Sequence, residues 1–97
     1  MQNQNSDPKS FRLLTNNQAE HWYLTAEVSA NKTGKLVILD NTGNLVSRQI
    51  VQLVKGENNI PVPKNNFSNA QIHVLILYLG NEVVFSQLII DKLFLYK

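Results

Sequence analysis

Ninety-seven residues suffice for one domain with a single modest core, which hides roughly 60–65% of its unfolded surface. The absence of cysteine excludes disulfides, thiolate nucleophiles and Cys-based metal sites. Nine basic and seven acidic residues give a net charge of +2, and the basic residues are scattered without a run of three, so no nucleic-acid partner is expected.

Residues 1–10 are polar, carry Pro8 and read as a flexible N-terminal arm, with a single module over residues 11–97. The opening residues lack the basic and apolar regions of a signal peptide, so an exported form is expected to carry its leader outside them. Beyond the arm, turn signals recur at short intervals and β-branched and aromatic residues dominate. Strands are expected near Phe11–Thr15, Trp22–Val28, Lys35–Asp40, Leu45–Leu53, Asn58–Val62, Gln71–Leu79 and Val83–Ile90. Seven short strands predict an all-β fold, an immunoglobulin-like antiparallel β-sandwich.

Each junction has its own mechanism. The segments Asn31-Lys-Thr-Gly34 and Asp40-Asn-Thr-Gly43 place glycine where a positive φ is expected, and Gly80-Asn81 is the tightest hairpin candidate. Pro61 and Pro63 lose their N–H groups on the same side of one strand, which predicts a sheet edge for Asn58–Val62. In the second strand Trp22, Leu24, Ala26 and Val28 face one way, with Tyr23, Thr25 and Glu27 opposite.

Three strands break that alternation. Leu36–Leu39, Val74–Leu79 and Leu88–Ile90 are apolar on both faces, although a sandwich buries only one face of each sheet. They belong to the third, sixth and seventh strands, which share a sheet in an immunoglobulin-like arrangement. The outer side of that sheet is therefore expected to be apolar and to expose several of Val37, Leu39, Leu75, Leu77, Leu79 and Ile90, a patch suited to a partner or to a homodimer. The same surface could instead lie beneath the N-terminal arm. The tail Leu93-Phe-Leu-Tyr96 either extends the last strand over the core or is held ready for a partner.

No catalytic chemistry is legible. His21 and His73 lie on separate strands without metal-ligand spacing, and no Walker loop, dinucleotide fingerprint or nucleophile elbow occurs. Asp40-Asn-Thr-Gly-Asn44 groups oxygen ligands but lacks the second carboxylate and distal Glu of a calcium loop, so a β-turn accounts for it. The expectation is a non-enzymatic chain with no cofactor, no metal and no small-molecule substrate.

Leu36-Val-Ile-Leu-Asp40 precedes the Asn41-Thr-Gly-Asn44 turn, Leu45-Val46 follows, and Gly56-Glu-Asn-Asn-Ile60 and Val83–Lys92 complete the pattern. In order and spacing these segments resemble the C-terminal sorting domain (type A) of bacterial type IX secretion, over about Trp22 to Lys92. Ala70 and Ile72 stand where that family usually has Gly and Tyr, and Leu88 where it has Lys. The resemblance implies a non-catalytic β-sandwich that is exported through the periplasm to the outer membrane or cell surface. It also implies binding to an outer-membrane β-barrel shuttle or translocon protein. The residues expected to carry that contact are Leu88, Ile89, Ile90, Lys92, Leu93, Phe94, Leu95 and Tyr96. The alternative is a stand-alone immunoglobulin-like adhesion or accessory module of the cell surface, with Trp22, Tyr23, Tyr78 and Tyr96 as the aromatics able to support it.

Overall fold

The structure is a computed structural model and describes residues 10–15, 21–69 and 71–90. Seven strands follow in chain order: β1 (Ser10–Leu14), β2 (His21–Val28), β3 (Lys32–Asp40), β4 (Leu45–Leu53), β5 (Gly56–Pro63), β6 (Ile72–Leu79) and β7 (Glu82–Ile90). They form a three-stranded sheet, β1-β2-β5, and a four-stranded sheet, β4-β3-β6-β7, with every pairing antiparallel. The only helical element among the described residues is a 3-10 turn at Lys64–Asn66. Ser10 already pairs with Glu27, so the last residue assigned to the arm belongs to β1.

The third, sixth and seventh strands are neighbours as expected, and β4 joins them on the far side of β3. In an immunoglobulin constant-type domain the fourth strand lies beside the fifth. Here the turn after Asp40 is too short for a crossing and returns β4 straight onto β3. The Gly43 N–H donates to the Asp40 carbonyl at 3.0 Å, with Gly43 at φ +88°. The Asp40 carboxylate completes the turn: its Oδ1 accepts from the Thr42 hydroxyl at 2.7 Å, the Thr42 N–H at 2.9 Å and the Asn44 N–H at 3.0 Å. These bonds, the Thr42 hydroxyl foremost, hold the Asp40 pKa below its ordinary value.

β5 is an edge of the three-stranded sheet, as its prolines require, with Pro61 opposite Tyr23 and Pro63 opposite His21. Gly80 takes φ +62° in the two-residue connection between β6 and β7. Gly34 is a correction. It lies within β3, outside the positive-φ region, and is buried. A Cβ there would meet the Tyr78 carbonyl oxygen at 2.9 Å and Val51 Cγ2 at 3.1 Å, so this glycine permits a close approach of strands.

The core lies between the sheets. Its fully buried side chains are Leu24 and Val62 from one sheet and Leu36, Ile38, Leu75 and Leu77 from the other. Each contributes roughly 1.5–3 kcal/mol of burial free energy. Phe11 and Phe85, with ring centroids 6.3 Å apart, close the seam between the edge strands β1 and β7.

The burial of Leu75 and Leu77 overturns their expected outward orientation, and Leu79 also packs against the core. The register explains the reversal. Leu36 pairs with Leu77 and Ile38 with Leu75, so odd-numbered residues of β6 share the face of even-numbered residues of β3. The outward residues of β6 are therefore Ile72, Val74, Ile76 and Tyr78.

Candidate functional site

The outer face of the four-stranded sheet is the least ordinary surface of the molecule. Cross-strand register lays its residues out in rows. Ile50, Lys35, Tyr78 and Val83 form one row, Arg48, Val37, Ile76 and Ser86 the next, and Leu45, Leu39, Val74 and Leu88 the third. Ile72 and Ile90 close the face at the end of β7. Leu45, Ile50, Val83, Leu88 and Ile90 are each at least half exposed, and Ile72 is 37% exposed. Val37 faces the same way but is screened to 8% by its neighbours.

The opposite side of the sandwich behaves normally. There Arg12, Thr25, Glu27, Glu57 and Asn59 share the outer face with Tyr23 and Leu14. A charged and amide-rich face needs no partner. The contrast arises because β3, β6 and β7 carry apolar residues at consecutive positions, so whichever face turns inward leaves an apolar one outside.

The edges of the sheets differ as well. β5 is blocked by two prolines, and β1 is only five residues long and carries Arg12. β4 carries Arg48 and a bulge near Val46. β7 has a bulge at Val84, but after Glu82 it runs Val-Val-Phe-Ser-Gln-Leu-Ile-Ile90 without charge or proline. Among the described strands it is the least protected edge.

The structure divides the residues expected to bind a partner. Leu88 and Ile90 point outward at 56% and 50% exposure, whereas Ile89 is buried at 8% and belongs to the core. Ile89 therefore anchors β7, and its side chain is not part of the exposed face. Lys92, Leu93, Phe94, Leu95 and Tyr96 lie outside the described residues. Ile50, Leu45 and Val83 complete the face and were missed. The first two are on β4, whose membership of this sheet no periodicity announces.

The aromatics of the alternative reading do not converge. Trp22 is in the core, Tyr23 is on the outer face of the three-stranded sheet, and Tyr78 lies on the opposite outer face beneath the Lys35 ammonium at 5.3 Å. Tyr96 is outside the described residues.

His73 is buried at 4% on the inner face, against the edge of Phe67 at 5.1 Å between ring centroids. Its Nε2 accepts from the Ser68 N–H at 3.2 Å and lies 2.9 Å from the Ser68 hydroxyl. A backbone N–H can only donate, so Nε2 is the unprotonated nitrogen and the hydroxyl donates to it as well. A serine beside a histidine is the start of a nucleophilic pair, but such a pair needs a third group to orient the base. Asp40 is opposite His73 in the register, yet its Oδ1 is committed to Thr42 and Asn44. The contact ties Ser68, after the Lys64–Asn66 turn, to His73 on β6.

A shallow groove lined by Asn31, Lys32, Thr33, Gln52, Leu53 and Val54 offers one titratable group, Lys32, and no acid–base pair. No group of three metal-ligating side chains occurs among the described residues. Comparison with protein-family models, with curated proteins and with solved structures finds no match.

Proposed function

We propose that this chain is a non-catalytic sorting module of bacterial type IX secretion that engages an outer-membrane β-barrel shuttle or translocon protein through its last strand and tail. One observation supports this above the others. β7, which bears the Val83–Ile90 part of the sorting-domain pattern, is a sheet edge with no charge or proline after Glu82 and with Leu88 and Ile90 exposed beside it.

An extended partner segment can pair with such an edge, gaining main-chain hydrogen bonds while alternate side chains supply specificity. Ile89 keeps β7 fixed to the core, so little ordering entropy is lost from this side. After the charged pair Asp91 and Lys92 the sequence returns to apolar residues with Leu93, Phe94, Leu95 and Tyr96. On this reading the protein passes from the periplasm to the outer membrane or cell surface.

The test is a periplasm-directed fluorescent reporter fused ahead of this chain in a bacterium with type IX secretion. Surface delivery is expected, with periplasmic retention after Gln87→Lys, which places a charge on the inner side of the edge strand, or after deletion of residues 93–97. Retention of the unaltered fusion, or delivery that ignores both changes, defeats the reading.

A further inference from the structure

We propose that this protein forms a two-fold homodimer in which the outer faces of two four-stranded sheets stack, with the axis parallel to the strands and passing between β3 and β6. The inference rests on the distribution of charge within the face. Among the described residues its cations are Lys35 and Arg48, and both lie on the β3–β4 half. Among the described residues the β6–β7 half presents Ile72, Val74, Ile76, Tyr78, Val83, Ser86, Leu88 and Ile90 and carries no charge. A two-fold axis between β3 and β6 sets each charged half on the uncharged half of the second copy.

The pairings that result are compatible row by row. Arg48 meets Ser86 of the second copy, Lys35 meets Tyr78, Ile50 meets Val83, and Leu45 meets Leu88. Val37 and Leu39 fall on Ile76 and Val74 at the centre. No cation meets a cation, and the ring of Tyr78 suits the Lys35 ammonium, which already lies over the same ring within one chain at 5.3 Å. A face with charges spread over all four strands would have no such solution.

The area is sufficient. Leu45, Ile50, Ile72, Val83, Leu88 and Ile90, at 37–61% exposure, leave about 500–600 Å² open to water, the upper end of what a lone soluble domain tolerates. With the partly buried residues between them the face approaches the ~800 Å² per partner of a standard stable interface. Two sheets stacked about 10 Å apart give interdigitating side chains of the kind already present in the core. The dimer leaves the backbone edge of β7 unpaired but covers the outward side chains of Leu88 and Ile90, so it shares those two residues, and not the edge, with the secretion reading.

Sedimentation of the full chain from low micromolar to about 100 μM decides the matter. A dimer is expected, weakened at least 100-fold by Leu45→Lys with Ile50→Lys, both sites being more than half exposed and remote from the core. Gln87→Lys, at the β7 edge, is expected to leave the dimer intact. Ser86→Lys alone weakens association at least tenfold by facing Arg48 of the second copy, and adding Arg48→Glu restores it. Within one chain these two positions are three strands apart, about 14 Å, so the rescue reports the intermolecular contact. A chain that is monomeric at the highest concentration overturns the proposal. So does a dimer lost with Gln87→Lys but kept with the β4 changes, which marks edge pairing. A monomer that dimerises only after removal of residues 1–9 or 91–97 also overturns it, because the face is then covered by the chain itself.

Discussion

Asn58 holds Val54 with both atoms of its carboxamide: Oδ1 accepts from the Val54 N–H at 3.0 Å and Nδ2 donates to the Val54 carbonyl at 3.0 Å. The same Nδ2 lies 3.1 Å from the carbonyls of Gly56 and Ala26, which ties the connection between β4 and β5 to β2 in the three-stranded sheet. Gly56, at φ +102°, makes the bend that brings these groups together. The Gly-Glu-Asn-Asn segment is thus a clasp between the two sheets. Asn58→Ala is expected to cost about 1–3 kcal/mol by leaving these groups without their partner. That corresponds to roughly 4–8 °C in Tm per kcal/mol for a domain of this size. Asn58→Asp should be at least as damaging, because a carboxylate cannot donate to three carbonyls. A thermal melt in which Asn58→Asp matches the parent would dismiss the clasp.

Gly34→Ala tests the close approach of strands. The added Cβ meets the Tyr78 carbonyl oxygen at 2.9 Å, a backbone atom that cannot rotate away. The expected penalty is about 1–3 kcal/mol, typical of overpacking. An unchanged urea midpoint would mean that β3 and β6 can separate without cost.

Leu77 and Leu88 belong to the same sheet and have opposite fates, at 0% and 56% exposure. Leu77→Ala should lose about 2–5 kcal/mol by opening a cavity, whereas Leu88→Ala should stay within about 0.5 kcal/mol in the monomer. Equal losses in chemical denaturation at low protein concentration would contradict the register of β6 and β7. The same argument predicts that Leu75→Thr with Leu77→Thr unfolds the domain.

Asp40 gives the β3–β4 turn a pH dependence of known sign. Its folded-state pKa is depressed, first by the Thr42 hydroxyl and then by the Asn44 N–H. The stabilisation is therefore present above the unfolded value of about 3.9 and is lost as pH falls through the folded value. The Tm difference between the parent and Asp40→Asn should be largest near neutrality and shrink as the pH falls through the depressed folded-state value. A difference that stays constant across that range would show that the carboxylate charge plays no part in closing the turn.

Position along the chain was legible from local chemistry. Leu45–Leu53 coincides with β4, and the inward set Trp22, Leu24, Ala26 and Val28 on β2 is the one observed. Pro61 and Pro63 marked β5 as an edge, and Gly43 and Gly80 take the positive φ that their turns require. These features depend only on a residue and its near neighbours, which the sequence carries explicitly.

The phase of β6 was not legible, because Val74–Leu79 is apolar at every position and either face could turn inward. His73 misdirects as well, because it is buried although polar, while Tyr78 faces outward. The partners that settle the matter are Leu36 and Ile38, across the register from Leu77 and Leu75, with β4 and β5 intervening between the two strands in the chain. No turn links β3 to β6, so their register comes from packing alone. Gly34 read as a turn for the same reason, since its buried position depends on Val51, Tyr78 and Leu79 from two other strands. The sequence by itself determined that this chain forms seven strands with apolar residues to spare. Only the tertiary structure decided which of them became core and which became an exposed face with its charges confined to one half, because that choice depends on contacts between strands far apart in the chain.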